Sequence, residues 1–228
     1  IARSQTPAPW EPGKMLAAPD KHASDAIPIT PQRLMRELST LFPITTRFLA
    51  DTGNSVSWAT HYLHPIDRRI SGSRLGGGWL RVTMNFAPMG WAIGGAIGTA
   101  AANRDVPVVC ITGDGSMLMN GQEISVAVAE RLTVIFVVLN DQALGMVKHG
   151  QRLAKAEQIG CDLPPTDFAM LARAMGAVGH TIRGPEDFAA LDIGTICARK
   201  GPTLLDVLID PDEVPPMNVR MRVLANAL

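Results

Sequence analysis

Two uninterrupted apolar runs, Val106 to Thr112 and Thr133 to Leu139, do most to limit what this chain can fold into. Both are dominated by β-branched and other apolar residues, and neither alternates apolar with polar. A strand with one wet face would alternate. A strand without alternation is buried on both faces, as in a parallel sheet covered by helices. Each run is followed by polar turn residues: Gly113-Asp114-Gly115-Ser116 after the first and Asn140-Asp141 after the second.

The rest of the chain supplies further strands and the flanking helices. Thr30 suits a helix N-cap and Pro31 the first helical position, with Leu34, Leu38 and Leu41 at helical spacing and Pro43 ending the helix. Arg47 to Ala50 reads as a short strand closed by Asp51-Thr52-Gly53-Asn54, Ser55 to Tyr62 as a helix, and Arg68 to Ile70 as another short strand. Ser71 to Ala87 is glycine-rich and irregular, and a loop of that length in a compact domain is usually functional. Pro88 is expected to open a helix of small residues that includes Gly90, Gly94, Gly95 and Gly98. Asn120 with Glu123 three residues on resembles a capping box for a helix over Gly121 to Glu130. Ala143 to Leu153 reads as a helix, as does a segment capped by Thr166 and stopped at Gly176. Glu186 to Lys200 reads as the last helix, with Val178 to Ile182 and Thr203 to Ile209 as strands. This order predicts an α/β fold, a doubly wound and mostly parallel sheet with helices on both faces. Ligands of such sheets sit outside the carboxyl ends of the strands, so chemistry is expected after Ala50, Thr112 and Leu139.

Composition removes several alternatives. Of 228 residues, 46% are hydrophobic and 18% charged, as in a well-buried globular chain. Lysine plus arginine equals aspartate plus glutamate at 21 each, which gives no electrostatic reason to seek nucleic acid or an anionic membrane. Cys110, Cys161 and Cys197 are too few and too scattered for a disulfide framework or a zinc site, and read as reduced thiols of a cytoplasmic protein. No apolar run is long enough to span a membrane. Residues 1–28, punctuated by Pro7, Pro9, Pro12, Pro19 and Pro28, have the composition of a linker from an upstream region. The domain is expected over 29–217, with 218–228 as a tail.

The turns carry the chemistry. The two glycines of Gly113-Asp114-Gly115 let the backbone turn tightly and approach a ligand with no β-carbon in the way. Asp114 offers a hard oxygen to a divalent cation. Ser116 lies at a helix start, where an anion is favoured. Asp141 follows Asp114 by 27 residues and closes the next apolar strand. Adjacent parallel strands lie about 4.8 Å apart, so both turns present oxygens at one sheet edge. Magnesium takes about six oxygens near 2.1 Å, usually including phosphates, and such an edge suits it.

These residues resemble the metal motif of thiamine-diphosphate enzymes, Gly-Asp-Gly followed by Asn-Asn or a variant. The resemblance is greatest to acetolactate synthases and to benzoylformate and pyruvate decarboxylases. It extends to Asp51-Thr52-Gly53-Asn54, Met89-Gly90-Trp91, Gln122-Glu123, Leu144-Gly145-Met146-Val147 and the segment from Gly201 to Val207. It implies the thiamine-diphosphate-binding fold, with thiamine diphosphate and Mg²⁺ as cofactors. Asp114, Asp141 and the Ala143 carbonyl would hold the metal. Gly53, Asn54, Ser55, Gly113, Gly115, Ser116, Gly145 and Met146 would bind the diphosphate, and Met89 would wedge the cofactor into a bent shape. Aspartate at 141 departs in type from the asparagine of the motif but still offers oxygen, and it adds a negative charge facing the diphosphate.

The same resemblance implies a 2-oxo-acid substrate and a homodimer or tetramer. The glutamate that activates the cofactor belongs to a separate pyrimidine-binding domain, on the same or a partner chain, with no counterpart here. No catalytic residue is therefore expected in this chain. Acetolactate synthases place a tryptophan near Gly150 that shapes the acceptor pocket; glycine there leaves other 2-oxo-acid decarboxylases and carboligases fitting as well. A non-catalytic fragment that binds Mg²⁺ and diphosphate, or one chain of a two-chain decarboxylase, stand as alternatives. Among other candidates, Glu123 reads as structural, and His61, His64 and His149 as ordinary surface or satisfied histidines, with His149 placed to face substrate if any does. Gly94 to Gly98 mimics a dinucleotide fingerprint but lies inside a helix rather than after a strand.

Overall fold

The computed structural model describes residues 16–63 and 80–216. The expected strand over Arg68 to Ile70, most of the glycine-rich loop, His64 and the tail lie outside them. Six strands are described: β1 (Arg47–Ala50), β2 (Leu80–Arg81), β3 (Val108–Gly113), β4 (Val134–Asn140), β5 (Val178–Ile182) and β6 (Thr203–Leu208). They form one sheet in the order β2-β1-β3-β4-β6-β5, and every pairing is parallel. "Mostly parallel" thus becomes wholly parallel among the described strands.

Residues alternate between two helical layers. On one face Phe48, Ala50, Val109, Ile111, Ile135, Val137, Leu205 and Val207 pack against α1 (Pro31–Leu41), α2 (Asn54–Tyr62), α8 (Pro185–Ala189) and α9 (Ile193–Ala198). On the other, Leu49, Val108, Cys110, Val134, Phe136, Val138 and Leu204 meet α3 (Trp91–Ala102), α5 (Ile124–Ala129) and α7 (Phe168–Ala174). All seven residues of β4 are buried, which is why that segment shows no alternation. The chain steps from β1 outward to β2 and then to β3 on the opposite side of β1. The switch point therefore falls between β1 and β3, where a doubly wound sheet opens a crevice at its carboxyl edge.

Several local expectations hold. Thr30 caps α1, its hydroxyl accepting from the Arg33 N–H, and Gly176 stands after α7 at φ +90. Others are corrected. Pro88 does not open α3; the chain makes a turn through Gly90 at φ +86, and the helix begins at Trp91. Asn120 makes no capping bond, because the chain is already helical from Asp114 to Asn120 (α4) and passes through a short 3₁₀ turn into α5. Asp167, not Thr166, caps α7 by accepting from the Met170 N–H at 2.7 Å. The expected long helix after Gly184 is two short ones, since Asp192 accepts from the Thr195 N–H and starts α9 afresh.

Gly179 shows how tightly α7 lies on β5. A β-carbon there would sit 2.2 Å from the Ala169 carbonyl oxygen, and backbone cannot yield as a side chain can. Gly179→Ala should cost about 1–3 kcal/mol by overpacking. Urea unfolding would register this as a lower midpoint with an unchanged slope.

Candidate cofactor and metal site

A cavity of about 220 Å³ opens outside the carboxyl ends of β1, β3 and β4, at the switch point. Thr52, Gly53, Asn54 and Ser55 come to it from the end of β1 and the start of α2. Gly113, Asp114, Gly115 and Ser116 come from the end of β3. Asp141, Ala143, Gly145 and Met146 come from the end of β4 and the start of α6 (Gly145–Leu153), and Met89 reaches in from the turn before α3. Every residue expected at the site thus lines one cavity. Its volume is below the ~300–1,000 Å³ of complete ligand pockets, so these walls suit part of a cofactor. A larger groove of about 880 Å³ runs along edge strand β5 beside α8 and α9, but its carboxylates, Asp187 and Asp192, accept from the starts of those helices, and it lies off the switch point.

Local structure explains the cavity's polarity. The nine-residue helices α2 and α6 both begin at its wall, and neither has a side-chain cap at its N-terminus. Their first N–H groups and the positive ends of their dipoles favour an anion. Gly53, at φ +100, makes the turn into α2. Thr52 Oγ1, Asn54 Oδ1 and Ser116 Oγ are buried without a hydrogen-bond partner, three polar atoms at one cavity left for a ligand.

The glycines keep the cradle open. A β-carbon on Gly145 would come within 2.5 Å of Asp141 Oδ2 and 2.7 Å of Asn54 Nδ2. One on Gly115 would lie 2.6 Å from Leu144 Cδ2 and 3.3 Å from the Met89 methyl group.

The paired carboxylates line the same cavity. Asp114 is 3% exposed; it accepts from its neighbour Gly115 N–H at 2.7 Å and from Ala143 N–H at 3.2 Å. Ala143 is held by a short antiparallel bridge to Asp162, made through Leu144 N–H to Cys161 O and Leu163 N–H to Gln142 O. Gln142, at φ +55, makes the turn between Asp141 and Ala143. Burial, and then the charge of Asp141, push the Asp114 carboxyl up to about 7. Burial pushes Asp141 up to about 6, against backbone N–H groups and Lys148. A buried and a half-buried carboxylate side by side present hard oxygens, which are what Mg²⁺ takes. Donor chemistry, unpartnered atoms and glycine cradle all fit a metal-bridged diphosphate.

Asn140 points elsewhere. Its amide donates to Asp206 Oδ1 at 2.9 Å and to Thr166 O, while Asp206 Oδ2 accepts from Phe168 N–H at 3.0 Å. Asp141 is therefore the residue of the pair at the cavity. Glu123 is exposed, and His149 is fully buried rather than lining the cavity. His61 accepts from the Ala17 N–H. Two residues not expected at the site lie behind its lining: Asp51 accepts from the Gly90 N–H, and Leu163 Cδ1 would lie 3.6 Å from a β-carbon on Gly115. Asp51 was visible as the polar end of a strand, whereas Leu163 gave no sequence signal.

Fold and cavity define the class first: a doubly wound α/β domain with an anion-favouring, carboxylate-bearing cavity at its switch point. Comparison with protein families matches residues 51–207 to the thiamine pyrophosphate enzyme C-terminal TPP binding domain, and the chain belongs to that family. It is 36% identical over 209 residues to the Escherichia coli acetolactate synthase isozyme 2 large subunit, covering 86% of this chain and 35% of that protein. It is 35% identical over 192 residues to a putative acetolactate synthase large subunit of Mycobacterium tuberculosis, covering 81% and 32%. The chain thus spans about a third of the length of these relatives. Among solved structures it shares the fold of a benzoylformate decarboxylase from Polynucleobacter necessarius, with a TM-score of 0.68, 22% identity and coverage of 83% of this chain and 35% of that one.

The carboxylate pair makes stability depend on pH. In an unfolded chain these groups titrate near 3.8; folded, they keep their protons to about 6 and 7. A raised folded value favours folding on the acid side, and that contribution is lost as pH rises through the folded values. The thermal midpoint of chelator-treated protein should therefore fall as pH rises from about 4 to about 7. Asp141→Asn should flatten that slope in melts taken across the same range.

Proposed function

We propose that this chain is the diphosphate- and metal-binding half of a thiamine-diphosphate-dependent enzyme that acts on 2-oxo acids, as a decarboxylase or carboligase. One observation carries the reading: two helix N-termini without side-chain caps and a carboxylate pair, one buried and one half-buried, face the same cavity. An anion site beside a cation site suits a diphosphate bridged by Mg²⁺. Asp114, Asp141 and the Ala143 carbonyl hold the ion in this reading. Gly53, Asn54, Ser55, Gly113, Gly115, Ser116, Gly145 and Met146 receive the diphosphate, and Met89 bears on the rings of the cofactor. Thiamine diphosphate, when bound, supplies the electron sink for loss of carbon dioxide from a 2-oxo acid. The residues here bind and orient it.

The pyrimidine-binding domain comes from the same or a partner chain in this reading, within a homodimer or tetramer. Exposed apolar side chains before the Met89 turn and on α4 support a protein surface there: Met84, Phe86 at 92% exposure, Leu118 and Met119. Gly150, where a β-carbon would meet nothing within 4 Å, leaves the acceptor side open and favours neither reaction type. Free Cys110, Cys161 and Cys197 agree with a cytoplasmic setting, and no described helix is long and apolar enough to cross a membrane.

Calorimetry tests the cofactor. Thiamine diphosphate with Mg²⁺ should bind, and Asp114→Ala should weaken it by at least the ~10–100-fold of a lost outer-shell partner. No heat from the wild type, or equal heat from the variant, would overturn the reading. A panel of 2-oxo acids, followed for carbon dioxide release and for carboligation products, separates decarboxylase from carboligase and both from a non-catalytic binding fragment.

A further inference from the structure

Asp51 lies at the end of β1 and is completely buried, yet it is outside the set of residues expected to hold metal or diphosphate. Its carboxylate accepts four hydrogen bonds from three segments of chain. Oδ1 takes the Thr52 N–H at 2.9 Å and the Ala92 N–H at 3.4 Å. Oδ2 takes the Gly90 N–H at 2.9 Å and the Thr112 hydroxyl at 2.8 Å. Helix α3 has no cap of its own, because Gly90 stands at the N-cap position in a left-handed conformation and carries no side chain. The first N–H groups of a helix need an acceptor, and here strand β1 provides it. Gly90 is also closed in from the other side: a β-carbon there would lie 1.9 Å from the Asn120 amide nitrogen.

We infer that Asp51 is a positioning residue for the cofactor's ring portion, acting through the Gly90 turn on Met89; this rests on the function proposed above. Met89 precedes Gly90 directly, and its methyl group lies over Gly115 at the cavity wall. The diphosphate side of the cavity has other support. Asp51 N–H donates to Ile111 O at 2.8 Å, and the β3–β4 ladder holds Thr112 and Gly113 in register. The Met89 turn lacks a ladder, so a lost carboxylate falls chiefly on it. An amide cannot replace the carboxylate. Both oxygens face backbone N–H donors, so an asparagine side chain in place of Asp51 would set N–H against N–H on one side.

The test is made on the full chain with two probes, thiamine diphosphate and inorganic pyrophosphate, each with Mg²⁺. Pyrophosphate reaches the metal and helix ends but has no rings to meet Met89. Asp51→Asn should weaken thiamine diphosphate by about tenfold, the scale of a lost outer-shell partner, and leave pyrophosphate within about twofold. Asp51→Ala should weaken it further, and Thr112→Val, which removes one donor and leaves the carboxylate serving the Gly90 turn, should stay near wild type. Asp187→Ala, which removes the carboxylate accepting from Arg183 and Gly184 N–H far from the cavity, serves as the control for stability alone. It should lower the thermal midpoint without changing either affinity. Equal loss of both probes in Asp51→Asn, or no loss of either, overturns the inference. Wild-type protein that binds neither probe overturns instead the function on which it rests.

Discussion

Val108 pairs with Val134 and Gly113 with Leu139, and this β3–β4 register governs what meets at the cavity. Because both strands stop within a residue of each other, Asp114 and Asp141 leave the sheet side by side. A slip of one residue would turn every β4 side chain to the opposite layer, sending Phe136 into the space of Val137. Burial on both faces makes that slip costly, so the apolar core enforces the placement of two carboxylates that take no part in it. The same ladder carries Asn140 alongside Leu208 and turns its amide toward Asp206. Neighbouring residues at one strand end thus point to different jobs, Asn140 securing the start of α7 and Asp141 facing the cavity.

How much was legible in the sequence follows from where the physics is local. The apolar runs revealed the central strands because burial on both faces leaves its mark residue by residue. Thr30 and Pro31 marked the start of α1 because a cap acts within three residues. The start of α3 was hidden for the opposite reason. Asp51 supplies the acceptor for α3 from 39 residues away in sequence, and no spacing rule reports a cap delivered by another strand. Helix α4 begins inside the motif itself, where Gly115 and its glycine neighbour weigh against helix and tertiary packing overrides them. The break between α8 and α9 turned on whether Asp192 would accept from its own helix start, a choice that composition leaves open.

The candidate site followed the same division. Its residues were found because glycines at strand ends and paired acids carry a chemical meaning wherever the chain places them. Leu163 escaped because its part is purely spatial. It comes to Gly115 through the small antiparallel bridge that also secures Ala143. The cavity's boundary is a tertiary property even though its chemistry was written locally.

Set beside one another, the buried acids separate support from function. Asp51 has four donors, and Asp206 has an amide and a backbone N–H, so each offsets much of its desolvation with hydrogen bonds. Asp114 has two backbone donors and a second carboxylate beside it, a combination that burial penalises. Selection for stability alone would replace one member of such a pair, since removing either acid relieves the repulsion. Its presence within a cradle of glycines, beside two helix starts without side-chain caps and three unpartnered polar atoms, agrees with the proposed function, in which a cation and an anion enter together. On that proposal the repulsion between the two acids is relieved when both arrive, and the well-satisfied acids lie behind the walls they line.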